Sequence, residues 1–538
     1  MEATAQAASE REIEWQLEAQ DLRLVLRWIE VAADGANGVT ITPGRTVNNV
    51  DTYLDTADRR LDRAGFSVRM RRTRRGAAEA TLKSLDGARP DALRIRLELA
   101  EPLDVDDPAG VALAPGAVGE RVRSLVGPRK LVPLFDLRTR RRSFPLVSEG
   151  VPSGELLLDE TTIREHGGAI LSRLQRVEVE VPESAIPAVG PLVDSMQKAC
   201  GLQPAILSKY EAGLAANGRR RAEPETFGGT SVDPGDTIGQ VGLAILRRQF
   251  AVMLAKEPGT RIGDDIEELH DMRVATRRLR AAIALFRDAL PAEAERLRAE
   301  LAWIGQTIGA VRDFDVQLGQ LEEWTAMLPE PDREPLVRLR TVLVEERAQA
   351  RAEMLRALDS ARYERFVRRF GAMLRARTGS RTPAARAVAP DFVERRHQGV
   401  RKAMKRIVDE TDHEGYHRLR IAGKRFRYAL EFVSDVYPGE TKPLIRRTVA
   451  LQDLLGEFQD GHVAIGRLRD LATHRADDLG PEAVFAMGEI AARYHARMGD
   501  VQRGTAGAYK RVRGKSWRRL RTALEEARPA AAPAPPAA

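Results

Sequence analysis

The second half of this chain is written twice. His270-Asp-Met-Arg273 returns as His417-Arg-Leu-Arg420, and Arg277-Arg278-Leu-Arg280 returns as Lys424-Arg425-Phe-Arg427. Gly309 and Asp313 return as Gly456 and Asp460, and every pair is offset by 147 residues. A constant offset with no net insertion describes two copies of one structural unit. From about Asp236 to Leu524 apolar residues recur at three- and four-residue spacing, so the unit is helical.

A helix turns 100° per residue, which sets His270, Arg273, Arg277 and Arg280 within roughly 80° of one another. His417, Arg420, Lys424 and Arg427 fall the same way. Each copy therefore carries a cationic stripe, and like charges at these spacings destabilise an isolated helix. A polyanion would offset that repulsion, and the planar Arg fork suits phosphate oxygens. The bland alternative is a solvated face, with Asp313 and Asp460 orienting the arginines and the histidines packing between helices.

The first half reads differently. From about Glu12 to Leu214, short runs alternate with period two between Gly, Pro and Asp turns, which predicts strands. Phe66, Val68 and Met70 alternate with Arg69 and Arg71; Leu93, Ile95 and Leu97 alternate with Arg94, Arg96 and Glu98. Glu12 and Glu14 share a face, as do Glu178 and Glu180, and Arg138, Arg140 and Arg142 follow Leu137. Either an antiparallel sheet with a solvated charged face or a closed barrel with a charged lumen fits this pattern. Paired carboxylates suit Mg²⁺ or Mn²⁺, and arginines beside them suit a phosphate chain.

The expected class is α+β: an antiparallel β-barrel or tunnel with flanking helices over 10–215, a linker over 216–235 and an all-α duplicated bundle over 236–525. The two copies cover about 236–378 and 391–525, divided by a break from Thr378 to Pro390 that carries Gly379 and Pro383. A Pro/Ala-rich tail, 526–538, is expected to be disordered. The 86 basic and 78 acidic residues leave a net charge of only +8, so placement matters more than the sum. One cysteine, Cys200, excludes a disulfide framework and reads as a core thiol. No signal peptide or run of 18 apolar residues is recognised, so the expectation is a cytoplasmic protein with no membrane partner.

The helical motif H-x-x-R-x-x-x-[RK]-R-x-R, followed by Ile308-Gly309 with Asp313 and Val316, or by Leu455-Gly456 with Asp460 and Val463, resembles the CHAD domain. That resemblance implies two pseudo-symmetric bundles whose basic residues bind inorganic polyphosphate. The implied contacts are His270, Arg273, Arg277, Arg280, His417, Arg420, Lys424 and Arg427, and association with polyphosphate granules would follow.

In the first half, Glu12-Ile-Glu14, Tyr53-Leu-Asp55-Thr56-Ala-Asp58, Gly65-Phe66-Ser-Val-Arg69-Met-Arg71, Thr81-Leu-Lys83, Arg96-x-Glu98, Asp159, Glu178-x-Glu180 and Ser208-Lys209-Tyr210 together resemble the CYTH domain of the triphosphate tunnel metalloenzymes. The resemblance implies an eight-stranded tunnel. Glu12, Glu14, Glu98, Asp159, Glu178 and Glu180 would hold Mg²⁺ or Mn²⁺, and Arg69, Arg71, Arg96, Arg138, Arg140 and Lys209 would contact phosphates. Glu12, Glu14 and Lys83 would serve catalysis, with metal-polarised attack of water on the terminal phosphorus of inorganic triphosphate or a related tripolyphosphate.

Three positions depart from the family pattern. Gln16 stands where a Lys belongs, Ala100 replaces a second Glu, and Arg176 opens a run that would begin with Glu. They keep a polyphosphate-holding protein without hydrolysis as the alternative to a triphosphatase. A nucleic-acid binder ranks lower, because few aromatics accompany the basic stripes. A cyclase acting on ATP also ranks low, since no nucleoside-reading feature stands out.

Overall fold

The structure is a computed structural model that describes residues 11–32, 38–72, 78–85, 92–105, 107–326, 328, 330–376, 382–409 and 412–527. The chain forms two compact units, Met1–Pro224 and Glu225–Ala538. The expected tail beyond Ala527 and residues 378–381 of the expected break lie outside the described residues.

The first unit holds strands β1 (Arg11–Glu18), β2 (Val39–Ile41), β3 (Thr46–Thr56), β4 (Phe66–Arg72), β5 (Ala78–Ser84), β6 (Leu93–Leu103), β7 (Leu131–Ser148), β8 (Val151–Arg164), β9 (Ile170–Glu180) and β10 (Gln203–Pro204). Strands β1, β6, β5, β4, β3, β7, β8 and β9 pair in that order, and β9 returns to β1, closing an antiparallel barrel. The closing register sets Glu14 opposite Glu180 and Gln16 opposite Glu178. β2 adds to β7, and β10 adds to β1.

Strand alternation sorts the side chains. Ile13, Trp15, Leu17, Leu156, Leu158, Val177 and Val179 face outward and pack with helices α1 (Leu22–Ala32) and α2 (Ile186–Cys200). Burying such a side chain contributes roughly 1.5–3 kcal/mol, enough to fix which face turns out. Glu14, Asp159 and Glu178 then turn inward and are 1%, 0% and 2% exposed, which a solvated sheet face would not allow. Cys200, at the last turn of α2, is only partly buried, a correction to the core thiol expected from its apolar surroundings.

One end of the barrel is stoppered. Helix α3 (Lys209–Ala216) starts at Ser208, whose hydroxyl accepts from the Glu211 amide while Glu211 accepts in return. Its Tyr210 and Leu214 pack on Tyr53, Phe135, Leu137 and Ile163, which share the lumen-facing alternation of β3, β7 and β8. Gly213 lets the helix approach, because a Cβ there would lie 2.1 Å from the Phe135 ring. The stretch expected as linker is tied down at its start: Arg221 and the Ala222 amide both bond Asp62.

The second unit is helical and duplicated. Its first copy comprises α4 (Ile238–Ile262), α5 (Ile266–Leu285), α6 (Glu293–Ala326), α7 (Glu330–Leu358) and α8 (Ala361–Arg375). The second comprises α9 (Ala385–Lys405), α10 (His413–Phe432), α11 (Pro438–His474), α12 (Ala476–Leu479), α13 (Pro481–Val512) and α14 (Lys515–Glu526). The motif helices α5 and α10 are each 20 residues long and are capped by Asp265 and Asp412, which keep the repeat offset. One apolar core runs through both copies. The expected break is shorter than Thr378–Pro390, because Pro390 lies buried inside α9. By length and composition α4 could cross a membrane, yet 56% of its apolar window is buried, and Val241, Leu246, Phe250 and Met253 belong to the unit's core.

Candidate functional site

The barrel lumen brings acids to one wall. Glu12 and Glu14 from β1 and Glu180 from β9 each offer an oxygen, all within 4.8 Å of one another. No other group of three or more such ligands is this tight among the described residues. Burial, with neighbouring carboxylates, raises the pKa of Glu12 and of Glu180 despite Lys83 and Arg141 nearby. Crowded hard-oxygen donors of this kind fit a hard divalent cation.

Cations stand among these acids and their neighbours. Lys83 Nζ donates to Glu12 at 2.7 Å and lies 3.1 Å from Glu98. Burial opposes its charge, but Glu12 and Glu98 outweigh that and raise its pKa. Arg96 pairs with Glu14 and lies 3.5 Å from Glu12. Arg71 grips Asp51 with Nε and Nη2 at 2.7 and 3.0 Å, and Arg69 reaches Glu98 at 3.4 Å. The Nε atoms of Arg69 and Arg96 are buried and have no protein partner.

Asp159 and Glu178 do not join the acidic trio. Arg141 and Lys209 hold both, and Lys209 and Arg141 drive the Glu178 carboxyl well below its usual range although burial pushes it up. Glu98 is likewise lowered by Lys83 and Arg69 against burial. Glu98, Asp159 and Glu178, expected as metal ligands, thus lie outside the tight trio, each salt-bridged to lumen cations.

Arg138 and Arg140, expected to contact phosphates in the tunnel, are placed outside it. Both are exposed on the outer face, where Arg140 lies 3.6 Å from Glu160. Arg141 faces inward opposite Asp159. The apolar residues Phe135 and Leu137 point into the stoppered end, so the charged lumen position on β7 follows them in phase instead of alternating with them. Counting inward from Phe135 would have found Arg141; Asp51 sits two residues before Tyr53 and was missed likewise. Asp55 is structural: its carboxylate accepts from the Thr56, Leu61 and Asp62 amides at 2.7, 2.9 and 3.0 Å.

The three departures can now be placed. Gln16 Nε2 donates to Glu14 at 2.8 Å and to Glu178 at 3.4 Å, while its buried Oε1 has no partner. Arg176 is 1% exposed and donates to the Leu207 carbonyl at 2.7 Å, leaving Nε and Nη1 without a partner. Ala100 is exposed opposite Thr81.

In the helical unit the two stripes meet. Lys424 of α10 is surrounded by Arg420 and Arg427 of its own helix and by Arg273 and Arg277 of α5. Burial first, then these four guanidinium groups, bring its pKa down to about 7. Buried Nε atoms of Arg277 and Arg420 have no hydrogen-bond partner. Asp313 accepts from Arg273 at 2.8 Å, so it compensates the stripe, and Asp460 lies among Arg420, Lys424 and Arg273 with its pKa raised chiefly by burial. Three expected members stand apart. Arg280 is exposed, with Arg298 as its charged neighbour; His417 is exposed and bonds Gln459; half-buried His270 has Arg312 as its main charged neighbour. A three-turn stripe outruns the short crossing of two helices, so both histidines and Arg280 leave the cluster.

A family model described as the CYTH domain matches residues 17–202, and one described as the CHAD domain matches residues 244–469. No curated protein matches the chain. Among solved structures, the CHAD domain from the plant Ricinus communis is 28% identical with a TM-score of 0.45, over 53% of this chain and 96% of that one. PptA from Streptomyces chartreusis is 20% identical with a TM-score of 0.43, over 51% of this chain and 100% of that one. HpAC1 from Hippeastrum, described as a candidate adenylyl cyclase with a dominant triphosphatase activity, is 20% identical with a TM-score of 0.31, over 39% of this chain and 96% of that one.

Proposed function

We propose that this chain, which carries a CYTH domain followed by a CHAD domain, hydrolyses inorganic triphosphate or a related tripolyphosphate in its barrel and binds polyphosphate through its helical unit. The observation that carries the first half is the charged lumen: an acidic trio lies among the cations Arg69, Lys83, Arg96, Arg141 and Lys209. A linear phosphate chain needs both, with cations along its oxygens and a hard-cation site at one phosphoryl group.

Glu12, Glu14 and Glu180 would hold the ion, which when bound supplies positive charge to phosphate oxygens and acidifies water. Lys83, kept protonated by Glu12 and Glu98, neutralises charge gathering on the transferred group. The partnerless Nε donors of Arg69 and Arg96 are placed for phosphate oxygens. Arg141 and Lys209 exchange part of their grip on Asp159 and Glu178 for the chain.

For the helical unit, buried guanidinium nitrogens and a Lys at pKa about 7 are costly without an anion. Phosphate-chain oxygens satisfy both. The deciding experiment measures phosphate release from tripolyphosphate, nucleotides and long-chain polyphosphate with Mg²⁺ or Mn²⁺. Release abolished by Glu14→Ala supports hydrolysis in the barrel; no release by the intact protein with any metal overturns it.

A further inference from the structure

Arg176 is a departure that neither the acidic trio nor the phosphate donors account for. It is 1% exposed, and Arg94, opposite Glu14 on β1, is 3% exposed. Burial works against the charge of both guanidinium groups. Nε and Nη1 of Arg176 have no hydrogen-bond partner, and Glu18, 3.7 Å from its Nη2, is itself exposed. A side chain kept there for stability alone would be apolar.

Both arginines reach one short loop. Arg94 Nη2 donates to the Ala205 carbonyl at 2.8 Å and to the Ile206 carbonyl at 3.4 Å. Arg176 Nη2 donates to the Leu207 carbonyl at 2.7 Å. Three successive carbonyls are thus held from β6 and β9, the two strands that flank β1. The loop's larger side chains do not anchor it, since Ile206 is 77% and Leu207 40% exposed. Ser208 follows as the cap of α3, and then Lys209, whose Nζ holds Asp159 and, at 2.8 Å, Glu178.

We infer that Arg176 and Arg94 are positioning residues: they clamp the 205–207 loop and so fix where α3 sets Lys209 in the lumen. One residue separates Leu207 from Lys209, so a shift of the loop is a shift of the ammonium. A small displacement of a group that grips the reacting chain is enough to weaken its action. The departure at 176 then has a physical sense. A carboxylate there would face the Leu207 carbonyl and repel it, whereas a guanidinium binds it. The effect on phosphate chemistry rests on the hydrolysis proposed above; the clamp itself does not.

The test uses the full-length protein. Arg176→Met keeps the bulk and removes the donors without burying a new polar group, so it should fold and melt close to the parent. Arg176→Lys keeps a donor for Leu207. Hydrogen exchange followed by mass spectrometry reads the amides of residues 210–216. Exchange there should rise by about tenfold in Arg176→Met, with β7 and β8 unchanged, and return toward the parent in Arg176→Lys. Phosphate release from tripolyphosphate gives the second readout. KM should rise by about tenfold in Arg176→Met, and the same substitution should change nothing in a Lys209→Gln background, because the arginine acts through that lysine. Arg94→Met, which frees the Ala205 and Ile206 carbonyls, gives the same two readouts and decides the matter if Arg176→Met does not fold. Unchanged exchange in α3 overturns the clamp, and a full KM effect in the Lys209→Gln background overturns its action through Lys209. A parent protein that releases no phosphate overturns the proposed hydrolysis instead, and exchange alone then decides the clamp.

Discussion

Arg141 and Asp159 face each other across β7 and β8 in a two-pronged ion pair, Nε to Oδ1 at 2.9 Å and Nη2 to Oδ2 at 2.7 Å. The same guanidinium reaches Glu178 at 2.6 Å. Removing it would leave two buried carboxylates to share the charge of Lys209. Arg141→Ala should therefore lower stability by about 3 kcal/mol and weaken tripolyphosphate binding. Arg138→Ala and Arg140→Ala, on the outer face, should stay within about 0.5 kcal/mol of the parent and leave phosphate release unchanged. Urea titrations and release assays on the three variants check this.

The acidic trio predicts a pH signature. Burial raises Glu12 and Glu180, so their ionisation opposes the fold. Their contribution declines as pH climbs from the ordinary carboxylate range through the raised folded values. A divalent ion favours the ionised forms, so its stabilisation should grow over the same window. Thermal melts with and without Mn²⁺ should differ more at neutral than at mildly acid pH, and Glu14→Ala should remove the difference.

Lys424 predicts proton-linked polyphosphate binding. Its folded pKa is depressed from 10.5 to about 7. The unliganded unit therefore gains stability as pH rises from about 7 toward 10.5, because only the unfolded chain still holds that proton. Polyphosphate favours the charged amine, so affinity should fall by up to about tenfold per pH unit above 7. Lys424→Arg should bind at least as tightly as the parent and lose this dependence. Binding measured at constant ionic strength across pH 6 to 9 reads it out.

Gln16→Lys tests whether hydrolysis is limited by that departure. The amide of Gln16 serves Glu14 and Glu178. An ammonium there would pair with the same carboxylates and add a phosphate donor, worth about 1.5–3 kcal/mol for a charged hydrogen bond. Tripolyphosphate KM should fall. Equal KM and kcat in parent and variant would show that Gln16 is not a disabling change.

The repeat was fully legible because no net insertion separates the paired motifs, which keep one offset throughout. The barrel was legible as paired faces, but closure was not: β1 with charged inward residues looks the same in a flat sheet. Only the β1–β9 register, which joins residues about as far apart as Glu14 and Glu180, decides it. The misplaced Arg138 and Arg140 have a sharper cause. The rule that apolar residues face out holds for Ile13 and Val179, and it reverses at Leu137 because the lumen itself becomes apolar where α3 enters. Likewise nothing in the sequence says which stripe residues lie at the crossing of α5 and α10. Arg280 is equivalent to Arg427 by offset, yet Arg427 is bonded to Glu431 at 3.3 Å and Arg280 stays exposed.

The stopper formed by Tyr210, Leu214 and Phe135 has a consequence for traffic. A passage sealed at its far end is a cul-de-sac. On the proposed hydrolysis, a long phosphate polymer would put only its tip in, and each fragment cut loose would back out the way it came. Such a vessel would favour short chains and chain ends over interior linkages, and departure of the product would compete with arrival of the next substrate.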